Sequence, residues 1–280
     1  MMRQLIVCAD DFAQSEEIDS AIVALIEKNR LSATSCLTLS PRWLEASKRI
    51  TPEIRSKAAI GLHLDFTQYA QPKRGLPKLI MCTYLRLLST QKIKATIHSQ
   101  LDAFEQALNT PPDYIDGHQH VHQLPQIRDA LVEILCQRYP QKKPWLRIAK
   151  PPMQDGIKAV VIGLLGSHAL AAQAERRQIQ HSQTLLGVYG FKGNLDQYQH
   201  KLNQWLAQMH HQTFARSFVL MCHPGLMRPD THQQDAHHED AIYQAREIEY
   251  QALSSAHFLT LLQQHNIQLV KDIHASSQSI

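Results

Sequence analysis

The sequence is poor in glycine, with 10 among 280 residues. It contains neither a G-x-G-x-x-G nor a G-x-x-x-x-G-K-[ST] run, so it encodes no backbone cradle for a nucleotide's phosphates. Its five cysteines, Cys8, Cys36, Cys82, Cys136 and Cys222, are odd in number, far apart and never spaced C-x-x-C. That pattern argues against a disulfide framework or a cysteine zinc site, and the thiols read as reduced and mostly buried. No block of charge of one sign stands out: the net charge is +4, with 29 Lys and Arg scattered against 25 Asp and Glu. Nucleic acid is therefore not an expected partner. Long hydrophobic runs are missing as well. "LIVCA" (5–9) is too short for the apolar core of a secretory signal, and "AVVIGLLGSHALAA" (159–172) falls short of the roughly 20 residues of a spanning helix and holds Ser167 and His168. The expectation is a cytoplasmic protein without a transmembrane segment, in which 159–172 forms a buried or partly buried helix.

Against these absences stands a regular alternation. Short β-rich runs recur at 5–9, 34–39, 58–64, 113–119, 145–149, 185–190, 217–222 and 267–272, and helix-period segments lie between most of them. Ile18, Ile22, Leu25 and Ile26 form one apolar stripe, and Leu101, Phe104, Ala107 and Leu108 another. Strands alternating with helices predict a mostly parallel sheet, and about eight of them fit a closed or nearly closed β/α barrel. An open doubly wound sheet is the second choice. The stretch Pro72–Thr90 reads as a surface excursion and 227–240 as a polar loop, with nothing that divides residues 1–280 into more than one domain.

Ligands of parallel α/β folds bind at the carboxyl ends of the strands, so polar residues appearing where a strand runs out take priority. Four strands end this way: Asp10 and Asp11 in "LIVCADDFAQS", His63 in "GLHLDFT", Asp116, His118, His120 and His122 in "DGHQHVH", and His223 in "MCHPG". Taken singly, each has an ordinary explanation. Paired aspartates serve as turns or helix caps, strand-end histidines as hydrogen-bonded structural residues, and histidine tracts occur on surfaces in a chain holding 17 of them. His210, His211, His237 and His238 read as solvent-exposed. Taken together, carboxylate and imidazole from independent strands match a divalent metal kept open to water. The period-two spacing of His118, His120 and His122 would put all three on one side of a strand.

The motifs "CADDFAQS" (8–15), "GLHLDFT" (61–67), "DGHQHVH" (116–122), "LRIAKPP" (146–152) and "MCHPG" (221–225), with a late "DAIYQAREIEYQAL" (240–253), resemble the YdjC-like carbohydrate deacetylases. That family includes chitooligosaccharide deacetylases and those associated with hopanoid biosynthesis. The resemblance implies a TIM-like barrel, distorted or incomplete, related to polysaccharide deacetylases. It also implies a divalent metal, usually magnesium with zinc or manganese as alternatives, and hydrolysis of an N-acetyl group on an amino sugar. By position it makes Asp11, His63 and His118 the metal ligands, Asp10 the general base, Arg147 its electrostatic partner and His223 the general acid. His120 and His122 would line the sugar site. A metal-dependent phosphoesterase and a non-catalytic sugar- or metal-binding homologue are the rival readings, and a homodimer stays open. Two positions depart from the family pattern: Cys8 and Ala13 stand where the first motif usually has Asn and Gly. If the turn needs a positive φ, Ala13 strains it.

Overall fold

The structure is a computed structural model that describes residues 2–211, 217–227 and 240–273. Eight strands, one overlapping each expected run, are β1 (Arg3–Phe12), β2 (Ala33–Cys36), β3 (Ala59–Leu64), β4 (Tyr114–Gly117), β5 (Trp145–Leu146), β6 (Thr184–Leu186), β7 (Phe218–Cys222) and β8 (Ile267–Leu269). All pair in parallel in the order β5-β4-β3-β2-β1-β7-β6, and β8 adds to β1 at Arg3–Leu5. Parallel neighbours need crossovers, and the helices that follow the strands supply them. The first, Glu16–Glu27, is capped by Ser15 and buries Ile18, Ile22, Leu25 and Ile26. The sheet curls until its edges approach: the chain before β6 bridges β5 at Leu146↔His181, flanked by bonds from Leu146 N to Gln180 O and from Ser182 N to Leu146 O. This is a curled, nearly closed β/α barrel.

Period two divides the strand residues between two apolar cores. Leu5, Val7, Ala9, Ile60, Leu62, Ile115 and Leu146 point outward to the helices, whereas Ile6, Cys8, Ala33, Ala59, Tyr114, Trp145, Val219 and Met221 fill the barrel. Within it the Tyr114 and Trp145 rings stack at 4.4 Å. Gly61 makes room for them, since a Cβ there would lie 2.4 Å from the Tyr114 ring. Continuing the inward parity toward the carboxyl ends gives Asp10, His63, Asp116, Arg147 and His223, so the strand alternation itself stacks a charged layer on an apolar floor.

Two expectations change. The segment 159–172 is not one helix but parts of two, Ile157–Leu164 and Ser167–Arg176, bent by 41° at a break where Gly166 has φ +122. A Cβ at Gly166 would come within 2.2 Å of the Gln123 carbonyl oxygen, which fixes the break. Ala159, Ile162 and Leu170 are buried, but Ile157, Val161 and Leu164 are exposed. No single helix among the described residues is long and apolar enough to cross a membrane. The excursion after β3 carries the helix Leu76–Tyr84. Of the polar loop 227–240, residues 228–239, His237 and His238 included, lie outside the described residues, while His210 and His211 are exposed as expected.

Candidate active site

Strict alternation would send Asp10 and Asp11 to opposite faces of β1. The structure avoids this with a bulge: β1 advances from Ala9 to Phe12 while β2 advances only from Thr34 to Cys36, and Asp11 takes φ +69. Both carboxylates consequently enter the site. Ala13 follows in the same left-handed region at φ +78, fully buried, with its N–H donating to Asp19 Oδ1 (2.6 Å) and its carbonyl accepting from Ser40 (2.6 Å). The turn thus has the conformation for which glycine is suited, and Ala13 holds it under strain.

Each aspartate has its own arginine. Arg147, fully buried, donates to both oxygens of Asp10 at 2.6 and 2.7 Å and lies 3.0 Å from Asp116 Oδ2. Arg246 reaches Asp11 Oδ2 at 2.8 Å and Asp240 Oδ2 at 2.5 Å. Asp11 Oδ1 is left facing His118 Nδ1 at 3.1 Å and His63 Nε2 at 3.4 Å. Burial alone would raise the Asp11 carboxyl, but Arg246 and the hydrogen bonds of His118 and His63 outweigh it and hold the group well below the usual carboxylate range. His63 Nδ1 donates to Asp116 Oδ1 at 2.6 Å, which fixes the tautomer and turns Nε2 toward Asp11. Burial would lower His63, yet Asp116, Asp10 and Asp11 around it push it up to about 10. Asp11, His63 and His118 each offer a ligand atom within 4.8 Å of the others, a donor set of one carboxylate and two imidazoles able to hold a metal ion.

The remaining histidines separate by position. His223 Nε2 lies 3.9 Å from Asp10 Oδ2, its ring meets the edge of Phe191 at 5.1 Å, and burial pushes it down to about 4. The stretch 118–123 is not a continuing strand: β4 stops at Gly117, and a 3-10 segment with Gln119 at φ +52 and His120 at φ +60 follows. The period-two expectation fails for that reason. His118 stays at the site, half-buried His120 keeps a buried Nδ1 without a hydrogen-bond partner, and His122 is fully buried. His122 Nε2 donates to the Arg147 carbonyl at 2.7 Å, which sets it under the site and away from its mouth.

A family model described as YdjC-like protein matches residues 4–264. The chain belongs to the YdjC-like family. Among its relatives, the chitooligosaccharide deacetylase of Proteus mirabilis is 28% identical over 148 residues, 49% of this chain and 57% of that protein. The carbohydrate deacetylase of Homo sapiens is 24% identical over 189 residues, 62% of this chain and 56% of that one. The chain thus spans little more than half the length of these relatives. A solved structure from Enterococcus faecalis V583, named for cellobiose-phosphate cleavage, superposes with a TM-score of 0.70 at 20% identity, covering 96% of this chain and 97% of its own. A peptidoglycan N-acetylglucosamine deacetylase does so with a TM-score of 0.50 at 12% identity, covering 95% and 85%. Both share the fold.

In this YdjC-like chain, sequence reasoning overlooked the contribution of the helix Tyr243–Ser254. It carries Arg246 and, one turn on, Glu249, both buried. Glu249 accepts from His223 N (2.5 Å) and Tyr189 Oη (2.7 Å), and burial lifts it to about 7. The signal was available as two opposite charges three residues apart within an otherwise apolar stripe. Arg246 also walls a cleft of about 180 Å³ whose lining includes Gln14, Gln68, Tyr69 and Asp240. Beneath the site, Cys8 Sγ sits 3.0 Å from Tyr114 Oη, 3.4 Å from Ser35 Oγ and 3.4 Å from Arg147 Nη1, so the thiol fills its position with polar neighbours.

Proposed function

We propose that the protein is a metal-dependent hydrolase that removes the N-acetyl group from an acetylated amino sugar, alone or in an oligosaccharide or glycolipid. The observation that carries this reading is the division of the aspartate pair: Asp11 turns one oxygen to two imidazoles, while Asp10, 4.0 Å from His63, is gripped by Arg147 and takes no part in the donor set. The names of the curated relatives support the substrate class. The cleft walled by Arg246, the partner of Asp11, is lined with amide, phenol and carboxylate groups and suits a hydroxyl-rich ligand.

Asp11, His63 and His118 would hold the cation, and two imidazoles suit zinc or manganese at least as well as magnesium. A divalent ion held there would supply Lewis-acid polarisation of the acetyl carbonyl and would make a bound water more acidic. Asp10 takes a proton from the attacking water, and Arg147 fixes its orientation. His223, neutral at rest because of its burial, cannot donate until it gains a proton. Asp10, with Oδ2 3.9 Å from His223 Nε2, is placed to pass one on. His223 then protonates the sugar nitrogen as the C–N bond breaks, giving acetate and a free amine. Half-buried His120 is the candidate for contact with the sugar. Acetate release from acetylated amino sugars, abolished by chelation and restored by a divalent metal, tests the reading. Phosphate release from sugar phosphates with no acetate release would replace it.

A further inference from the structure

Among the described residues, eight of the twelve exposed large apolar side chains fall in two segments, 81–87 and 157–164. Leu85 and Leu87 are 62% and 66% exposed, Ile157 and Leu164 85% and 74%. The segments adjoin, because Tyr84 Oη reaches the Leu164 carbonyl at 3.5 Å. Within the two segments and the chain beside them the charge is of one sign. From 66 to 101 the chain has no Asp or Glu but has Lys73, Arg74, Lys78, Arg86, Lys92 and Lys94, and from 156 to 174 it has no acid but has Lys158. Arg86 and Lys94 pair with Asp129 and Glu133 of a neighbouring helix, whereas Lys73 and Lys78 are exposed with no ion pair among the described residues. Both excursions leave from the carboxyl ends of strands, β3 and β5, that lead to His63 and Arg147. Lys158 Nζ also stands 4.1 Å over Phe191, whose ring meets His223. The apolar face therefore borders the site.

We propose that this face docks on an anionic lipid bilayer, its leucine and isoleucine tips entering the headgroup boundary and its lysines meeting the acidic headgroups. Apolar tips rimmed by unpaired lysines match what peripheral membrane binding requires. A second copy of the chain fits less well: a two-fold contact places the same patch on both partners, which sets lysine against lysine. The docking stands independently of the deacetylase reading, since it is measured without turnover.

The test is co-sedimentation of the full chain with vesicles of phosphatidylcholine plus phosphatidylglycerol and with vesicles of phosphatidylcholine alone. Binding is expected to the anionic vesicles and to weaken with added salt. The double variant Lys73→Gln/Lys78→Gln should bind about twenty-five-fold more weakly, taking roughly fivefold per charge. Leu85→Ser/Leu164→Ser should lose at least about tenfold through the apolar term. Unfolding midpoints and acetate release from a soluble substrate should not change in either variant. Failure to bind anionic vesicles, or binding that neither variant weakens, overturns the proposal. So does a concentration-dependent dimer that Leu85→Ser/Leu164→Ser dissolves, which would make the face an interface between copies.

Discussion

Asp10→Asn separates the work of the two aspartates with little change in shape. The carboxylate accepts two N–H groups from Arg147, at 2.6 and 2.7 Å, and an amide can accept only one of them. One charge-assisted bond is lost, about 1.5–3 kcal/mol. The full cost of stranding a buried ion, about 3–5 kcal/mol, does not apply, because Asp116 remains 3.0 Å from the same guanidinium. The variant should fold with a lowered denaturation midpoint. Its chemistry should suffer more: loss of the general base lowers kcat by on the order of a hundredfold to ten-thousandfold, or about 3–5 kcal/mol in the barrier. The substitution also removes a negative charge 4.0 Å from His63, so cation affinity falls and kcat has to be read at saturating metal. The assay is acetate release at saturating metal beside calorimetric metal titration. A kcat within tenfold of wild type, with one cation bound, would refute the assignment of the base.

Three further outcomes follow from the same geometry. His63→Ala and His118→Ala should each abolish stoichiometric cation binding in calorimetry, while His122→Ala, which alters a buried non-donor, should retain it at some cost in stability. Ala13→Gly should stabilise the fold by about 0.5–1 kcal/mol in urea unfolding, since relief of left-handed strain exceeds glycine's entropic cost. Glu249 is raised to about 7 from the ordinary 4.5, so the folded state binds its proton more tightly than the unfolded chain does. Its contribution is present below about pH 4.5 and is lost as pH rises toward about 7, by roughly 3 kcal/mol in all. Glu249→Gln should remove that slope, and parallel stability profiles of variant and wild type would contradict it.

The barrel was legible because each strand announces itself locally. A short apolar run ending in a polar residue marks the strand and pointed to Asp10, His63, Asp116 and His223; because both faces of these strands are buried, the run does not state which side chains face inward, and that parity, which also brings in Arg147, is read from the structure. Other features depend on backbone conformation that residue type does not reveal. The bulge that brings Asp11 inward requires a positive φ at an aspartate, and nothing in "CADDFA" marks which residue adopts it. Likewise "HQHVH" fits strand alternation equally well on paper, but the chain turns into a 3-10 segment after Gly117 and buries His122 against the Arg147 carbonyl. Arg246 and Glu249 were hidden by distance, since they reach the site from a helix more than two hundred residues away in sequence from Asp11.

Adjacent buried carboxylates repel one another, and a shared metal ion is one remedy. This fold uses a different one first. Asp10 is neutralised by Arg147 and Asp11 by Arg246, on opposite sides, so the pair tolerates burial before any cation binds. Asp116 is the third carboxylate around His63, and it shares Arg147 with Asp10. Asp10, Asp11, Asp116 and Asp240 against Arg147 and Arg246 leave a negative surplus, part of which His63, pushed up to about 10 and so protonated, offsets while no cation is bound. That surplus favours a cation at the donor set, yet the arginines keep it small enough for the site to remain folded when the cation is away. The same division explains why the neighbouring aspartates can differ in role. Arg147 takes both oxygens of Asp10 and sets it beside His223, whereas Arg246 takes only one oxygen of Asp11 and leaves the other for the imidazoles.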